Sequence, residues 1–377
     1  MTRRLVLVGG GHAHLEVLRE AARRPFGAEL VLVSPSPAQL YSGMMPGQLR
    51  GAYRERDLTV DLPALCRAAG ARFVEAAAAR VDAPLGGDGA AVHAAGGPAL
   101  EASHVSLDVG ALPAGLDRVP GAAEHAFAVR PVARWRALVA RVEALLAGGG
   151  EPFAACVVGG GAGGVELAFA LHARARAAGR AAEVALVEGG DRILPSFGAL
   201  GGRVRRLLER RGVRVLTGHA VAAVDAEGVT LAGGARVASL VTVWTAGAAA
   251  PPLVRASRLP ADAGGYLRVD ATLRAADGRP VWGAGDCVAL DGAAWVPKAG
   301  VYAVREAPVL ADNLRAALGD GAARRYVPQR RYLVALDTAD GRAFLRRGGV
   351  PVGVHARWAL RLKRAIDERF VARYQRV

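Results

Sequence analysis

The chain has 377 residues, of which 52% are hydrophobic and 22% are charged. This composition excludes an intrinsically disordered protein, because the apolar content is high enough to bury two or three domain-sized cores. The 49 Lys and Arg residues outnumber the 34 Asp and Glu residues and give a formal net charge of +15, but no basic run is interleaved with aromatic residues, so nucleic-acid binding is not expected.

The first predicted element is a strand that runs into a glycine-rich turn and a helix. The residues LVLVGGGHAHLEVL (5–18) have this pattern, and a second strand, ELVLVS, follows and ends at Ser34. In such a βαβ unit the glycine turn and the helix N-terminus present backbone N–H groups to a pyrophosphate, so the pattern indicates a dinucleotide site. Gly9 and Gly11 fit the required spacing, whereas His14 stands where a third glycine is expected.

The same pattern recurs later in the chain. The residues ACVVGGGAGGVELAFALHARA (155–175) again predict a strand, a glycine turn and a helix, here with the complete spacing of Gly159, Gly161 and Gly164. The next strand, EVALVEGG, carries Glu188 at its end, where a carboxylate accepts hydrogen bonds from ribose hydroxyls and repels a 2′-phosphate. NADH is therefore favoured over NADPH, although an arginine shortly after the strand weakens that preference.

Three further stretches each predict a strand that runs into a glycine turn: HVSLDVGALP (104–113), SLVTVWTAGAAAPP (239–252) and PVWGAGDCVAL (280–290). A long helix is predicted over 296–319, beginning near Lys298. Strands at about 331–336 and 343–347 follow it. Two βαβ units with these additions predict an α/β fold that contains two Rossmann-like domains.

The last stretch, WALRLKRAIDERFVARYQRV (358–377), predicts an amphipathic helix. Its apolar stripe repeats every four residues and consists of Trp358, Leu362, Ile366, Phe370 and Tyr374. Most of the basic residues lie off this stripe, which is typical of a peripheral anchor on the anionic inner face of a cell membrane. Packing of the same stripe on the helix's own domain, or in a homodimer, is the alternative interpretation.

The cysteine pattern limits both chemistry and location. Cys66, Cys156 and Cys287 are far apart and form no C-x-x-C pair and no cluster with zinc spacing, so we expect no disulfide framework and no metal site. A reducing, cytoplasmic location follows, with the three thiols as small buried apolar groups. The stretch 40–53, LYSGMMPGQLRGAY, is predicted as a loop that either caps a cofactor and helps to line the channel of its electron acceptor, or packs in the core.

These motifs resemble one family. GAGDC (283–287) and PKAGVYAVREAP (297–308), together with the two βαβ units, are similar to FAD-dependent pyridine nucleotide-disulfide oxidoreductases. GGVELA (163–168) and ILPSF (193–197) resemble the type II NADH dehydrogenase-like group. VGGGHAHLEVL and LYSGMMPG (40–47) resemble a narrower branch whose members are often fused to, or associated with, selenide, water dikinase.

The resemblance covers essentially the whole chain and implies its organisation. Residues 1–120 and 241–320 would form a discontinuous FAD-binding domain, and 121–240 an inserted NAD(P)H-binding domain. Residues 321–377 would form a small α+β segment with the amphipathic helix. A dikinase would then be a candidate partner.

The resemblance also implies the cofactor contacts. The residues that match the FAD-binding positions are Gly9, Gly11 and His12 at the pyrophosphate; Ser34 at the adenosine ribose; Gly285 and Asp286 at the ribityl chain and phosphates; and Lys298, Ala299 and Gly300 at the isoalloxazine ring. At the ring, a helix N-terminus can stabilise negative charge. The residues that match the NADH-binding positions are Gly161, Gly163, Gly164 and Glu188.

Two residues are candidates for catalysis. Glu166 is expected at the nicotinamide–flavin junction, where it could pass protons, and Lys298 could stabilise a developing anion. The alternatives are that Glu166 is a carboxylate favoured by its helix N-terminus and that Lys298 is a surface residue before a helix.

The positions of the cysteines limit the reactions that the protein could catalyse. The sequence has no C-x-x-x-x-C after the first βαβ unit, so it excludes a disulfide reductase. Hydride transfer from NADH to FAD, followed by electron transfer to a quinone-like acceptor, is the leading interpretation. A soluble flavin oxidoreductase linked to selenium metabolism and a non-catalytic FAD-binding redox sensor are the alternatives.

Overall fold

Two parallel sheets organise the chain in the computed structural model, which describes residues 3–149, 152–348 and 354–377. The strands are, in chain order, β1 (Arg4–Val8), β2 (Glu29–Ser34), β3 (Ala38–Leu40), β4 (Thr59–Asp61), β5 (Arg72–Glu75), β6 (Ala78–Asp82), β7 (Ala90–Ala94), β8 (Leu100–Ala102), β9 (His104–Leu107), β10 (Ala126–Ala128), β11 (Phe153–Val158), β12 (Ala182–Glu188), β13 (Arg214–Thr217), β14 (Val221–Asp225), β15 (Gly228–Leu231), β16 (Arg236–Ala238), β17 (Val241–Trp244), β18 (Leu267–Val269), β19 (Val281–Gly283), β20 (Val288–Leu290), β21 (Leu333–Asp337), β22 (Ala343–Arg347) and β23 (His355–Ala356). The predicted domain ranges also include 1–2, 150–151 and 349–353, which lie outside the described residues.

The helices flank these sheets. In chain order they are α1 (His12–Arg23), α2 (Met45–Leu49), α3 (Glu55–Leu58), α4 (Leu62–Ala68), α5 (Ala122–His125), α6 (Val132–Ala147), α7 (Ala162–Ala177), α8 (Ala199–Arg210), α9 (Pro252–Ala256), α10 (Gly300–Ala317) and α11 (Arg357–Gln375). The predicted α/β fold with two Rossmann-like units is confirmed, and α10 begins at Gly300, close to the predicted start.

The first sheet has the strand order β19-β9-β1-β2-β5, and every neighbouring pair is parallel. Its strands are almost continuous apolar runs, because helices cover both faces of a parallel sheet. The register pairs Val8 with both Val33 and Leu107. Ser34 at the end of β2, and Gly9 and Asp108 directly after β1 and β9, therefore lie at one edge of the sheet. Ligands bind at this edge in open α/β folds.

The second sheet repeats this arrangement with the order β10-β17-β11-β12-β13. Its register pairs Val158 with Val187 and with Trp244, so Gly159, Glu188 and Thr245 share one edge. One predicted boundary needs correction, because residues 241–244 were assigned to the first domain. As β17, they pair with β10 and β11 in the second sheet, and the second unit extends at least to Trp244.

The C-terminal segment packs against both units. The predicted strands are confirmed as β21 and β22, which form an antiparallel pair. The helix α11 contacts α1 and β4 of the first unit, and β21 contacts α7 of the second. The segment therefore joins the two Rossmann-like units.

The stretch 40–53 is not the predicted loop. It forms a 3-10 turn (Ser42–Met44) followed directly by α2, which packs against α7. Met44 is fully buried, as the core-packing alternative requires. Ser42 and Met45 line cavities at the sheet edges, as the cofactor-site alternative requires.

Candidate functional site

A cavity of about 490 Å³ opens at the edge of the first sheet where its strands end. The residues predicted to bind FAD that line it are Gly9, Gly11, His12, Ser34, Asp286 and Gly300. The structure thus brings together positions from three separate parts of the sequence. Its walls are mainly apolar, with polar side chains contributed by several segments, including Ser34, Asp108 and Asp286.

A second cavity of about 290 Å³ lies between the two units. Gly161, Gly163 and Gly164 line it from the second unit, and Lys298 lines it from the first. Several residues line both cavities, namely Ser42, Met45, Ala111, Leu112, Val129, Arg130 and Asp286. Ligands bound at the two glycine turns would therefore meet at this shared wall.

The glycine turn of the first unit is packed tightly against Asp108. Gly9 has a φ of +93°, and a Cβ there would lie 2.4 Å from the Asp108 carbonyl oxygen. A Cβ on Gly11 would lie 2.2 Å from the Asp108 carboxyl group. Both positions require glycine for a steric reason. Asp108 is not one of the predicted site residues, and its signal in the sequence is that it directly follows β9, which ends at this edge.

The buried imidazole of His14 explains how a non-glycine residue fits in the first unit. Its Nδ1 lies 2.6 Å from the Gly9 carbonyl oxygen and its Nε2 lies 2.8 Å from Ser106 Oγ. Because a carbonyl only accepts, Nδ1–H donates to Gly9 and Nε2 accepts from the Ser106 hydroxyl. Burial lowers the pKa of His14 to about 4, so the ring is neutral at physiological pH.

The second unit has no room for such a side chain. A Cβ on Gly164 would lie 1.9 Å from the Gly159 carbonyl oxygen. The helix α7 therefore sits closer to its glycine turn than α1 does, and the imidazole of His14 fills the wider gap in the first unit. His14 thus packs in the place where a third glycine is expected, and the N-terminus of α1 stays intact.

Replacing His14 by Ala is expected to lower the free energy of unfolding by roughly 2–4 kcal/mol, because it leaves a cavity and two buried polar groups without partners. Urea titration of the wild-type and variant proteins measures this difference. His93→Ala is the matched control, since His93 is partly exposed and pairs with Asp82 on a surface hairpin. Equal stability of all three proteins would contradict the assignment.

His12 begins α1 and is buried beside the first cavity. Its ring meets Tyr41 and Phe370 edge-on, with centroids 5.6 and 5.4 Å away. Its Nε2 has no hydrogen-bond partner among the described residues. Burial, together with the nearby Arg130, lowers the pKa of His12 to about 4. A neutral, unpartnered ring nitrogen at this place can bind a polar group of a ligand.

The 3-10 turn between β19 and β20 contributes Gly285 and Asp286. Gly285 has a φ of +75° and its N–H donates to Glu306 Oε2 at 2.6 Å. Asp286 forms an ion pair with Arg130 at 3.2 Å. Burial raises the pKa of Glu306 to about 7, although the hydrogen bond from Gly285 opposes this. Glu306 was not identified from the sequence, because it lies in the middle of a helix.

Lys298 lies in the wall of the junction cavity and is half-buried, so it is not the surface residue of the alternative interpretation. Its Nζ donates to the Val288 carbonyl oxygen and lies 3.9 Å from the centre of the Tyr266 ring. Burial lowers its pKa, while Asp262 opposes that shift. Ala299 is the N-cap residue of α10, whose first residue, Gly300, lines the larger cavity.

The residue at the end of the second strand differs between the two units, as the sequence predicts: it is Ser34 in β2 and Glu188 in β12. Ser34 donates from Oγ to the Ser36 carbonyl oxygen at 3.0 Å. The carboxylate of Glu188 accepts from the N–H groups of Gly160 at 2.6 Å and Gly190 at 2.8 Å. These bonds fix the carboxylate beside the glycine turn, and its remaining lone pairs face outward, since Glu188 is partly exposed.

Glu166 lines neither cavity. It lies just inside α7, and its Oε1 accepts from the Asp337 N–H at 2.8 Å, so it faces the C-terminal segment. Burial raises its pKa to about 7, opposed by the positive charge of Lys363. The predicted position at the junction thus differs from the observed one.

A buried polar network surrounds Glu166. Lys363 of α11 donates to Asp367 and to the Gly43 carbonyl oxygen, each at 2.7 Å. The Tyr41 hydroxyl donates to Asp367 at 3.2 Å. The spacing of Lys363 and Asp367, four residues apart on one helix, is compatible with their ion pair. The sequence does not reveal the other neighbours of Lys363, because Gly43 and Glu166 come from distant segments.

The apolar stripe of α11 is only half covered. Phe370 stacks on Tyr41, and the Tyr374 hydroxyl donates to Glu16 at 3.0 Å. In contrast, Trp358, Leu362 and Ile366 are 48%, 40% and 45% exposed. Packing on the chain's own domain therefore accounts for one half of the stripe, and the membrane interpretation of the exposed half stays a prediction. No helix in the described ranges is long and apolar enough to cross a bilayer.

The three cysteines are buried and unpaired. Burial raises the pKa of each thiol to about 12. Cys287, the one nearest the first cavity, directs its Sγ toward the carbonyl oxygens of Ala284 and Leu107. None of these thiols is ionised at neutral pH, which disfavours thiol chemistry.

Comparison with known proteins decides the family. The sequence profile of the family described as pyridine nucleotide-disulphide oxidoreductase matches residues 3–311. The chain belongs to this family. An NADH dehydrogenase-like protein of Mycobacterium tuberculosis is 31% identical over 301 residues, which cover 76% of this chain and 73% of that protein.

Two further similarities indicate the group within this family. The demethylphylloquinone reductase NdbB of Synechocystis is 29% identical over 177 residues, which cover 45% of this chain and 43% of that protein. The structure of NDH2 from Plasmodium falciparum in complex with NADH superposes with a TM-score of 0.75 at 14% identity, over 100% of this chain and 99% of that chain. The resemblance to the type II NADH dehydrogenase-like group is confirmed, and the chain is an oxidoreductase that uses a flavin and a nicotinamide nucleotide. The resemblance to the dikinase-associated branch stays a prediction.

The residues of the first cavity fit a flavin nucleotide. Gly9, Gly11 and His12 line the cavity at the N-terminus of α1, where backbone N–H groups favour a phosphate. The unpartnered His12 Nε2 supplies a polar contact. Gly300 brings the N-terminus of α10 to the same cavity, and a helix N-terminus favours negative charge.

Proposed function

We propose that the chain is an FAD-dependent NADH dehydrogenase that passes electrons to a quinone. The observation that carries this proposal is the shared wall of the two cavities, one at each glycine turn. Two nucleotides bound at those turns meet where Lys298 and Asp286 lie. The first domain would hold FAD and the inserted domain NADH, in agreement with the predicted organisation.

When bound, FAD supplies the ability to accept a hydride and to release its two electrons to a second substrate. The protein has to bind the nucleotides, orient them and stabilise the charge that develops. Gly9, Gly11 and His12 bind the phosphate end, and Ser34 lies at the adenosine end. Lys298 and the N-terminus of α10 stabilise negative charge at the junction.

NADH would bind across the glycine turn of the second unit. A Cβ on Gly161 or Gly163 would contact nothing within 4 Å, so both glycines border open space at the N-terminus of α7. Glu188 is held beside this turn by two backbone N–H groups. Its carboxylate would accept hydrogen bonds from the adenosine ribose and repel a 2′-phosphate.

Replacing Glu188 by Gln is expected to raise the ratio of kcat/KM for NADPH to kcat/KM for NADH about tenfold. The amide oxygen keeps one acceptor for Gly160, while the charge that repels the 2′-phosphate is lost. Steady-state kinetics with both nucleotides measure the ratio. Glu183→Gln is the matched control, because Glu183 is an exposed carboxylate at the other end of the same strand. An unchanged ratio in the Glu188 variant would contradict the role.

A quinone needs protons as well as electrons, and Glu166 is a buried acid that can hold one. The Glu166 carboxyl retains its proton up to a pH of about 7, because burial raises its pKa. The nearby Lys363 and Asp367 bond to Gly43 and Tyr41, which flank Ser42 in the wall of both cavities. Glu166 would therefore supply protons to the acceptor without contacting the nicotinamide.

The exposed half of α11 favours a lipid-soluble acceptor. Trp358, Leu362 and Ile366 form an apolar surface beside basic residues, which suits the headgroup region of an anionic membrane. We propose that this surface holds the protein peripherally on the inner face of the cell membrane. A surface of this kind also suits contact with a second copy of the chain.

The test is anaerobic addition of NADH to the purified flavoprotein, followed by a soluble quinone analogue, while the visible absorbance of the flavin is recorded. Bleaching by NADH and recovery with the quinone are expected. Bleaching without recovery would contradict the quinone as acceptor and favour another small acceptor, including one in selenium metabolism. A bound flavin that NADH does not bleach would contradict the dehydrogenase and favour a redox sensor.

A further inference from the structure

The carboxyl group of Asp108 lies beneath the N-terminus of α1. Its Oδ2 accepts from the N–H groups of Ala13 at 2.7 Å and His14 at 3.1 Å, and the side chain is buried. A Cβ on Gly11 would lie 2.2 Å from this carboxyl, and one on Gly285 would lie 2.8 Å from it. Asp108 thus stands between two glycines that are proposed to face the phosphates of FAD.

The second unit has a neutral residue at the equivalent position. The registers pair Leu107 with Val8 and Trp244 with Val158, so the next residues, Asp108 and Thr245, correspond. The Thr245 hydroxyl donates to the carbonyl oxygens of Val158 and Gly159 and carries no charge. Of the two units, only the first places an acid at the N-terminus of its helix. That N-terminus is the helix end that would attract a pyrophosphate.

The surroundings of Asp108 do not favour a second anion beside it. The charged groups around it are Asp286 on the turn between β19 and β20, Glu306 on α10, and Arg130. Arg130, the cation in this group, forms an ion pair with Asp286, so its positive charge is already balanced. His12 and His14 of α1 are neutral because burial lowers the pKa of each to about 4, and the nearby Cys287 thiol is un-ionised.

A pyrophosphate carries two negative charges, and at the start of α1 it would compete with an ionised Asp108 for the same positive helix end. A protonated carboxyl avoids this competition. Its carbonyl oxygen still accepts from the first-turn N–H groups, and its hydroxyl can donate to a phosphate oxygen. The protonated form therefore keeps the helix end ordered and also adds a hydrogen-bond donor.

We propose that Asp108 is a positioning residue that holds the first turn of α1 for FAD in its protonated form, so that FAD binding takes up a proton at this carboxyl. The proposal rests on the proposed function, in that FAD must occupy the first cavity. Without the nucleotide, burial already raises the pKa of Asp108 to about 7, although the N–H groups of His14 and Ala13 oppose this. The negative charge of the bound FAD phosphates would raise the pKa of Asp108 further.

The sign of the pH dependence follows from this shift. A group whose pKa rises on binding contributes its full share of affinity below the pKa of the free state, which is about 7. The contribution is lost as the pH rises from there through the pKa of the bound state. The dissociation constant for FAD should therefore increase with pH above about 7, by up to tenfold per pH unit for one proton.

The experiment measures FAD release from the holoenzyme at equilibrium, by flavin fluorescence, between about pH 6 and pH 9. For the wild type, the dissociation constant is expected to rise above pH 7. For Asp108→Asn, which mimics the protonated acid, FAD binding should remain and the rise should disappear. Glu306→Gln is the matched control, because Glu306 is an equally buried acid that binds Gly285, and this variant should keep the wild-type slope.

A wild-type dissociation constant that does not change with pH would overturn the proposal, and so would a wild-type slope in Asp108→Asn. Loss of the slope in Glu306→Gln alone would assign the proton to that residue and also overturn it. If Asp108→Asn does not fold, proton uptake on mixing FAD with the wild type in weak buffer decides, with uptake of about one proton supporting the proposal and none overturning it. A chain that binds no FAD at any pH overturns the proposed function as well, whereas pH-independent FAD binding overturns only this inference.

Discussion

The Gly161→Val enzyme is expected to fold normally, to keep its flavin and to lose at least a hundredfold in kcat/KM for NADH. Gly161 is the N-cap residue of α7, with a φ of −70° and a ψ of 179°, which valine adopts without strain. A Cβ at this position would contact nothing within 4 Å of the protein, so the new side chain extends into the junction cavity. That space is where we propose that the NADH pyrophosphate approaches the backbone, and the side chain would block it.

Steady-state kinetics with NADH, together with flavin content and thermal unfolding, test this expectation. Gly97→Val is the matched control, since Gly97 also borders open space but lies in a hairpin turn outside the cavities. Gly164→Ala gives the opposite pattern, because its Cβ would lie 1.9 Å from the Gly159 carbonyl oxygen and would disturb the fold. Unaltered NADH kinetics in Gly161→Val would exclude this turn as the nicotinamide-nucleotide site.

Replacing Lys298 by Met is expected to slow flavin reduction by NADH roughly a hundredfold, which is the usual effect of removing one preorganised charge from the transition state. Lys298 lines the junction cavity, and its ammonium group is held by the Val288 carbonyl oxygen and the face of Tyr266. Its positive charge is therefore fixed before negative charge develops at the junction. Because the site is half-buried, water screens this charge only partly.

Anaerobic stopped-flow mixing with NADH measures this rate directly, separately from the acceptor reaction. Lys298→Arg is the matched control, as it keeps the positive charge and should retain most of the rate, with some loss because a guanidinium has a different geometry. If the Met and Arg variants slow flavin reduction equally, the positive charge of Lys298 is not what accelerates this step. A rate in the Met variant equal to that of the wild type would return Lys298 to a packing role.

The fold and the two cofactor turns could be predicted because their signals are local. The buried strands are short apolar runs, and the glycine spacing reflects contacts within a single strand–turn–helix unit. Glu188 was found for the same reason, since its partners Gly160 and Gly190 lie in or next to the same βαβ unit. The predicted domain boundary at residue 241 was wrong, because a short strand carries no mark of the sheet that it joins.

The sequence by itself determined the two Rossmann-like units, their glycine turns and the amphipathic pattern of the last helix. Only the tertiary structure decided which polar groups face each other: Asp108 beneath α1, Glu306 beneath Gly285, and Lys363 beside Glu166. It also decided that Phe370 is covered while Trp358 is exposed. The physical reason is that spacing along the chain encodes periodic local geometry, whereas burial and charge depend on segments that meet only in the folded protein.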